Sequence, residues 1–453
     1  MTKPFDLLLR NGLVVTGIGV VKADVGILGE KIAAVQTDLP TEGAGRIIDA
    51  AGKTILPGII DVHVHPVYLD DVQDCSRVAA YGGTTTLLHF AYGRTGESLL
   101  QRVEEMMQDA LDRSLLDFGL HGGMFEAPRQ VPEIPKVMDL GVRTFKFFLT
   151  YLKQGWYTDD YQFIKAMDML AQGGGLAMVH AENGGGIDYL EDKYLKGPDA
   201  SAKHFNISRP AALEEEAVFR AIRLAEVVEC PLYIPHVTAA RALGPIRQAQ
   251  AEGLAVFAET CPQYLTLTQE IIAERGALAK IGPPIRSAED RAALWRALAD
   301  GTLQVVASDH APKEKDIHAD FIEQPFGSPQ IETLLPLTYH GGVNRGRISV
   351  VRLVQVLCEN PARLFGLYPR KGTIAVGSDA DVVVFDPTDA WTISAENQHS
   401  NAGYTLYEGH SVLGRPEMSF QRGRAVLQEG QIVSDAGRAQ YLPTHFGGEE
   451  LLS

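Results

Sequence analysis

Eight short apolar runs, each followed by a helix-like or loop segment, constrain this chain more than any other feature. They lie at 55–66, 84–91, 116–124, 143–150, 175–183, 231–238, 254–262 and 303–310. The runs are rich in β-branched residues and the intervening segments in Ala, Leu, Glu and Arg, the mark of consecutive parallel βα units. Eight such units predict a closed (β/α)8 barrel of the TIM type, in the α/β class. That architecture carries its chemistry at the C-terminal ends of the strands, so functional residues are expected at the run ends.

The two chain ends have a different texture. Residues 5–50 alternate short apolar segments with glycine turns, among them Leu7-Leu8-Leu9, Leu13-Val14-Val15 and Ile32-Ala33-Ala34-Val35, as antiparallel strands do. A similar texture returns after Arg370, in Val382-Val383-Val384-Phe385, Ala425-Val426-Leu427 and Ile432-Val433. The expected organisation is one small β-sandwich domain built from 1–54 and 370–434, a barrel over 55–369, and a tail over 435–453. That tail packs on a neighbour or along its own barrel. The glycine triplets Gly173-Gly174-Gly175 and Gly184-Gly185-Gly186 read as turns.

Composition narrows the function. A formal charge of −16, with no Lys/Arg block, disfavours a phosphate backbone, so no nucleic-acid partner is expected. Cys75, Cys230, Cys261 and Cys358 lack Cys-x-x-Cys spacing, which argues against a disulfide framework or a thiolate zinc site and for reduced thiols in the cytoplasm. The N-terminus shows no signal pattern, and no apolar stretch approaches the ~20 residues of a spanning helix. The expectation is a cytoplasmic, non-membrane protein acting on a small molecule.

The run ends supply the chemistry. His63 and His65 lie two residues apart at the end of the first run, so a strand there aims both imidazoles to one side. Lys146, His180, His236 and Asp309 end later runs, giving six candidate ligands from five strands. Taken singly, His180 and His236 also read as core histidines and Asp309 as a turn or cap residue. Jointly, four imidazoles, one carboxylate and one lysine suit two metal ions, provided something bridges them. Lys146, in Thr144-Phe145-Lys146-Phe147-Phe148, is the anomaly: a protonated ammonium is costly to bury and cannot ligate a cation. A carbamate formed from its neutral amine and CO2 is anionic, has two oxygens and bridges two metals as a carboxylate does. His89 and His121 read as barrel filling, and His204 and His310 as pocket lining away from metal.

Several local motifs accompany this order: Pro57-Gly58-Ile59-Ile60-Asp61, Gly82-Gly83-Thr84-Thr85, His180-Ala181-Glu182-Asn183, Ser208-Arg209-Pro210, Glu259-Thr260-Cys261-Pro262-Gln263-Tyr264-Leu265, Pro283-Pro284-Ile285-Arg286 and Ser308-Asp309-His310. With them, the order His-x-His, Lys, His, His, Asp resembles the binuclear amidohydrolase superfamily, and within it the cyclic-amide branch of hydantoinases, dihydropyrimidinases and allantoinases. The resemblance implies that His63, His65 and Asp309 hold one divalent metal, that His180 and His236 hold the other, and that carboxylated Lys146 bridges them. It implies zinc, with manganese or cobalt as alternatives that the mixed N/O ligands also suit. It implies hydrolysis of a cyclic amide or ureide by a metal-bridging hydroxide, with Asp309 as general base and then acid and Tyr151 stabilising the oxyanion. It also implies a homo-oligomer, tetramer or dimer.

Departures from the branch bear on the substrate. Dihydroorotases carry an arginine after His-x-His; this chain reads His65-Pro66-Val67-Tyr68-Leu69-Asp70-Asp71, with no cation there. The interval from His65 to Gly82 is shorter than in D-hydantoinases, whose loop there covers the ring substituent. Gly282 replaces the usual serine before Pro283-Pro284, where a backbone contact to substrate survives the change. Gln330, in Phe326-Gly327-Ser328-Pro329-Gln330, offers an amide in place of the usual asparagine. Ser308-Asp309-His310-Ala311-Pro312 keeps an allantoinase, or a hydrolase of another lactam or imide, as the alternative. Non-enzymatic scaffolds of the same fold have lost ligands, whereas all six positions are filled here.

Overall fold

The computed structural model describes residues 4–196, 201–316 and 319–451. Five strands open the chain: β1 (Leu7–Thr16), β2 (Gly19–Leu28), β3 (Lys31–Gln36), β4 (Arg46–Asp49) and β5 (Thr54–Pro57). Eight follow with helices between them: β6 (Ile59–Val64), β7 (Thr84–Gly93), β8 (Asp117–Met124), β9 (Thr144–Phe148), β10 (Leu176–His180), β11 (Leu232–Ile234), β12 (Val256–Thr260) and β13 (Val305–Val306). Four more, β14 (Val382–Thr392), β15 (Ser411–Gln421), β16 (Arg424–Gln428) and β17 (Gln431–Ile432), lie near the C-terminus.

β6 to β13 are hydrogen-bonded side by side in chain order. A parallel bridge between Val64 and His310 closes the ring, with the His65 amide donating to the His310 carbonyl at 3.0 Å. Every residue of these eight strands is buried. One face fills the barrel and the other lies under helices, which is why the runs read as continuously apolar rather than alternating.

The remaining strands form one nine-stranded mixed sheet in the order β17-β16-β15-β14-β5-β1-β2-β3, with β4 beside β1. Both chain ends thus build the small β-domain, and register shifts at Leu9/Gly12 and Asp386/Ala390 add local twist to it. The run beginning at 55 serves both bodies. Thr54–Pro57 pairs with β1 and β14, and the barrel's own pairing starts at Ile59, a few residues later than the expected start at 55.

A buried ion cluster joins the two bodies at the N-terminal end of the barrel. Lys371 Nζ lies 2.7 Å from Asp117 Oδ2, 2.7 Å from Asp381 Oδ2 and 3.0 Å from Asp379 Oδ2. The tail runs along its own barrel there: Leu442 donates its amide to the Phe118 carbonyl at 2.7 Å, and Thr444 to that of Gly141 at 2.8 Å.

One expected turn is a helix. Gly184-Gly185-Gly186 starts the helix Gly184–Tyr194, because Asn183 caps it by accepting the Gly186 amide proton at 2.9 Å. A Cβ on Gly184 would stand 2.9 Å from Thr150 Cα, so glycine lets this first turn press against 149–152. Among the described residues no helix is long and apolar enough to cross a membrane, and the four cysteines are free and buried.

Candidate active site

The six strand-end residues converge at the C-terminal end of the barrel. The His63 and His65 ring centroids lie 5.1 Å apart, and Asp309 Oδ1 stands 2.9 Å from His65 Nε2 and 3.2 Å from His63 Nε2. His180 and His236 have centroids 4.5 Å apart, and His236 lies 5.4 Å from His63. Lys146 reaches in from β9, with Nζ 2.8 Å from His63 Nε2 and 4.7 Å from the centre of the Phe90 ring.

Three residues of the candidate site adopt the left-handed backbone region: Tyr151 at φ 63°, His236 at 41° and Asp309 at 53°. Non-glycine residues, and a bulky tyrosine above all, avoid that region. Each lies two or three residues beyond the end of a barrel strand, and such strain gathers at functional sites.

A second layer of side chains orients the imidazoles. Glu259 accepts from His63 Nδ1 at 2.7 Å, leaving Nε2 as a lone pair facing Lys146 and Asp309. The same carboxylate accepts from the Tyr233 hydroxyl at 2.8 Å and the His236 amide at 3.2 Å. Glu182 accepts from His180 Nε2 at 2.7 Å and from Arg209 Nη1 at 2.8 Å. Tyr92 Oη lies 3.0 Å from His65 Nδ1. Asp61 accepts the amides of His63 and Ser308 at 3.2 and 3.1 Å, tying β6 to the segment that carries Asp309. Carboxylates behind imidazoles fix ring orientation and tautomer in metal sites.

The electrostatics fit a cation. Burial holds the His63 and His236 imidazoles well below their ordinary range, His65 at about 3 and His180 lower than usual, so all four keep a lone pair. Burial also brings Lys146 down to about 8, within reach of the neutral amine that reacts with CO2. His63, His65 and Asp309 present donor atoms within 4.8 Å of one another. Nε2 of His236 is buried without a hydrogen-bond partner, an arrangement that costs about 1–3 kcal/mol unless something takes the lone pair. The donor set therefore fits divalent metal.

Above these residues lies a cavity of about 260 Å³ with an aromatic wall of Tyr92, Phe125, Phe148 and Trp156, the Phe125 and Trp156 rings stacked at 4.2 Å. Tyr151 lines it, and burial raises its phenol above the ordinary range, so the hydroxyl stays protonated. Gly282 lines it too; a Cβ there would stand 3.1 Å from the Tyr151 hydroxyl. Gln330 does not line it. Its amide is taken by Ser328 Oγ and the Tyr407 hydroxyl, and Ser328 lines the cavity in its place. His121 bonds the Val62 carbonyl at 3.0 Å and His89 is buried in the barrel. His310 pairs with Asp70 at 3.0 Å while accepting the Gln330 amide proton, so it positions the loop rather than meeting metal.

Residues 200–416 match the amidohydrolase family. The D-hydantoinase of Streptomyces coelicolor is 39% identical over 455 residues, covering 96% of this chain and 97% of the relative. The chain belongs to the amidohydrolase family, in its cyclic-amidase branch. The L-hydantoinase of Paenarthrobacter aurescens is 34% identical to this amidohydrolase, over 97% of the chain and 98% of the relative. The crystal structure of dihydropyrimidinase from Brevibacillus agri superposes on it with a TM-score of 0.93 at 36% identity, covering 97% of this chain and 98% of that one.

The second layer of this amidohydrolase was not assigned roles from sequence. Asp61, Glu182, Arg209 and Glu259 stand inside the quoted motifs; the signal that marks the three acids is a carboxyl within or beside an apolar run, and Arg209, far from any run end, is marked only by its Ser208-Arg209-Pro210 motif. Tyr92 has a weaker signal, a hydroxyl one residue past the end of the run at 84–91.

Proposed function

We propose that this amidohydrolase opens the amide bond of a cyclic amide or ureide ring of the hydantoin or dihydropyrimidine type. The observation that carries the reading is the convergence of four neutral imidazoles, one carboxylate and one uncompensated lysine beneath a small aromatic cavity. His63, His65 and Asp309 would hold one ion and His180 and His236 the other, with carboxylated Lys146 joining them; zinc is the first candidate, manganese or cobalt the next. Bound divalent metals supply a polarised carbonyl and a water acidified to near neutral pH.

The chain's own residues do the rest. Burial works against a charge on Asp309, but His63 and His65 beside it hold its carboxyl below the usual range, so it is ionised, the form in which it can accept a proton from the attacking water. Ring opening then needs that proton on the leaving nitrogen, and Asp309 returns it. Tyr151 donates its hydroxyl hydrogen to the oxygen on which negative charge develops. Gly282 leaves the space beside that hydroxyl clear. The aromatic wall takes one face of a flat ring.

The test is ring opening of dihydrouracil, 5-substituted hydantoins, allantoin and dihydroorotate by protein supplied with zinc and bicarbonate, with metal content measured on the same sample. Two metals per chain and turnover of the first two supports the reading. Turnover of allantoin alone moves the assignment to allantoinase, and a metal-free, inactive protein overturns it.

A further inference from the structure

In the lining of the cavity this acidic chain leaves one cation without an ion pair among the described residues, and a second such cation stands close to it. Acids outnumber bases 57 to 41, and cations elsewhere pair readily, as Lys53 does with Asp386 and Arg113 with Asp71. Lys313, four residues beyond Asp309, lines the cavity and rests its Nζ 2.8 Å from the centre of the Tyr68 ring. Among the described residues neither Lys313 nor Arg94, at the end of β7, has an ion pair, and Arg94 is close enough to press on the Lys313 charge.

The neighbouring lysines are occupied. Lys280 Nζ donates to the carbonyls of Phe321 and Ile322 at 3.1 and 2.6 Å, and Lys315 Nζ to those of Leu278 and Lys280 at 3.0 and 2.9 Å. These bonds pin the loop that Lys313 begins, whereas the Lys313 ammonium, in the cavity lining, rests on the Tyr68 ring and donates to no carbonyl among the described residues. Burial and Arg94 draw it down to about 8, so it is a cation at neutral pH. A half-buried cation beside another is unfavourable until an anion joins them, and it draws anions from solution. The Tyr68 ring under Lys313 lies 6.2 Å from the His65 ring, which sets the cation one aromatic ring away from the ligand cluster. That is the place of a group carried on the ring's substituent rather than of the amide being cut.

We infer that the cyclic substrate carries a carboxylate on its side arm, which Lys313 binds from the cavity rim with Arg94 as the outer cation. This rests on the ring-opening reading above. Lys313 is a specificity residue and takes no part in bond breaking.

The test uses the zinc-loaded enzyme with a matched pair, 5-(2-carboxyethyl)hydantoin and its neutral amide 5-(2-carbamoylethyl)hydantoin. The wild type should favour the acid in kcat/KM by about 10- to 100-fold, the worth of one charged hydrogen bond, and mainly through KM. Added salt should shrink that preference. Lys313→Met should lose the preference and Lys313→Arg should keep it. Equal use of acid and amide by the wild type, or an unchanged ratio in Lys313→Met, overturns the inference. Opening of unsubstituted hydantoin and dihydrouracil but of neither arm-bearing ring also overturns it, with ring opening left standing. Failure to open any ring with both metals bound removes the ring-opening reading itself, and the inference with it.

Discussion

Lys146, at 2% exposure, and Lys371, at 1%, are both buried, and their surroundings are opposite. Lys371 sits among Asp117, Asp379 and Asp381, and although burial disfavours its charge, those carboxylates raise it above the usual lysine range. Lys146 touches one imidazole nitrogen and the faces of Phe90 and Phe148, and burial pulls it down. A buried ammonium holds only where it is compensated. Lys371 is therefore a structural cation at the joint between barrel and sheet. Lys146 occupies a place that favours a neutral amine, beside the donor atoms of His63.

The largest effect that would break this contrast is at Lys146. Lys146→Ala should abolish turnover and leave fewer than two metals per chain by elemental analysis, with partial rescue by short carboxylic acids. Two tightly held metals and full activity would sink the bridging role. Lys371→Met should lower unfolding free energy by about 3–5 kcal/mol, since it strands buried carboxylates, while Lys146→Met in metal-free protein should cost far less. Chemical denaturation of both variants side by side reads the difference, and equal losses would erase it.

Next in size is Tyr151→Phe, expected to slow kcat by roughly 10²-fold or more with metal content intact. Acid stability sharpens the contrast further. Burial opposes the charges of Glu182 and Asp379, but Arg209 and His180 hold the first at about 2 and Lys371 and Lys31 the second at about 2. Such depressed carboxyls contribute stability that is fully present above their ordinary values of 4.5 and 3.8 and is lost as pH falls through about 2. Unfolding followed from pH 6 downward should drop across that window, and Lys371→Met should lack the share belonging to Asp379. Smallest is Asn183→Ala, which removes the cap behind Tyr151's loop and should cost about 1 kcal/mol.

Much of this was legible in the residues. Parallel strands buried on both faces write themselves as apolar runs, so each barrel strand lies within its run except β7, which continues to Gly93, two residues past the run's end at 91; His180 or Asp309 at a run end reads as a ligand because the fold dictates where run ends meet. Lys146 was legible as a contradiction, a charge inside Phe145 and Phe147. Partners joined by distant pairings were not. Glu259 reaches His63 across 196 positions, and Tyr407 turns Gln330 away from the cavity from 77 positions along. Gly184 looked like a turn because its value lies in what it approaches, Thr150, rather than in its own propensity.

The pairing of β5 with β14 joins Ile55 to Val384, so one flank of the N-terminal sheet has no neighbour until most of the polypeptide has been made. At 5–20 residues per second of synthesis the wait is on the order of tens of seconds. During that interval β5 presents an open strand edge whose backbone groups any other extended segment could satisfy. The protein's vulnerable moment thus comes early in its life on the ribosome and ends when its last third arrives.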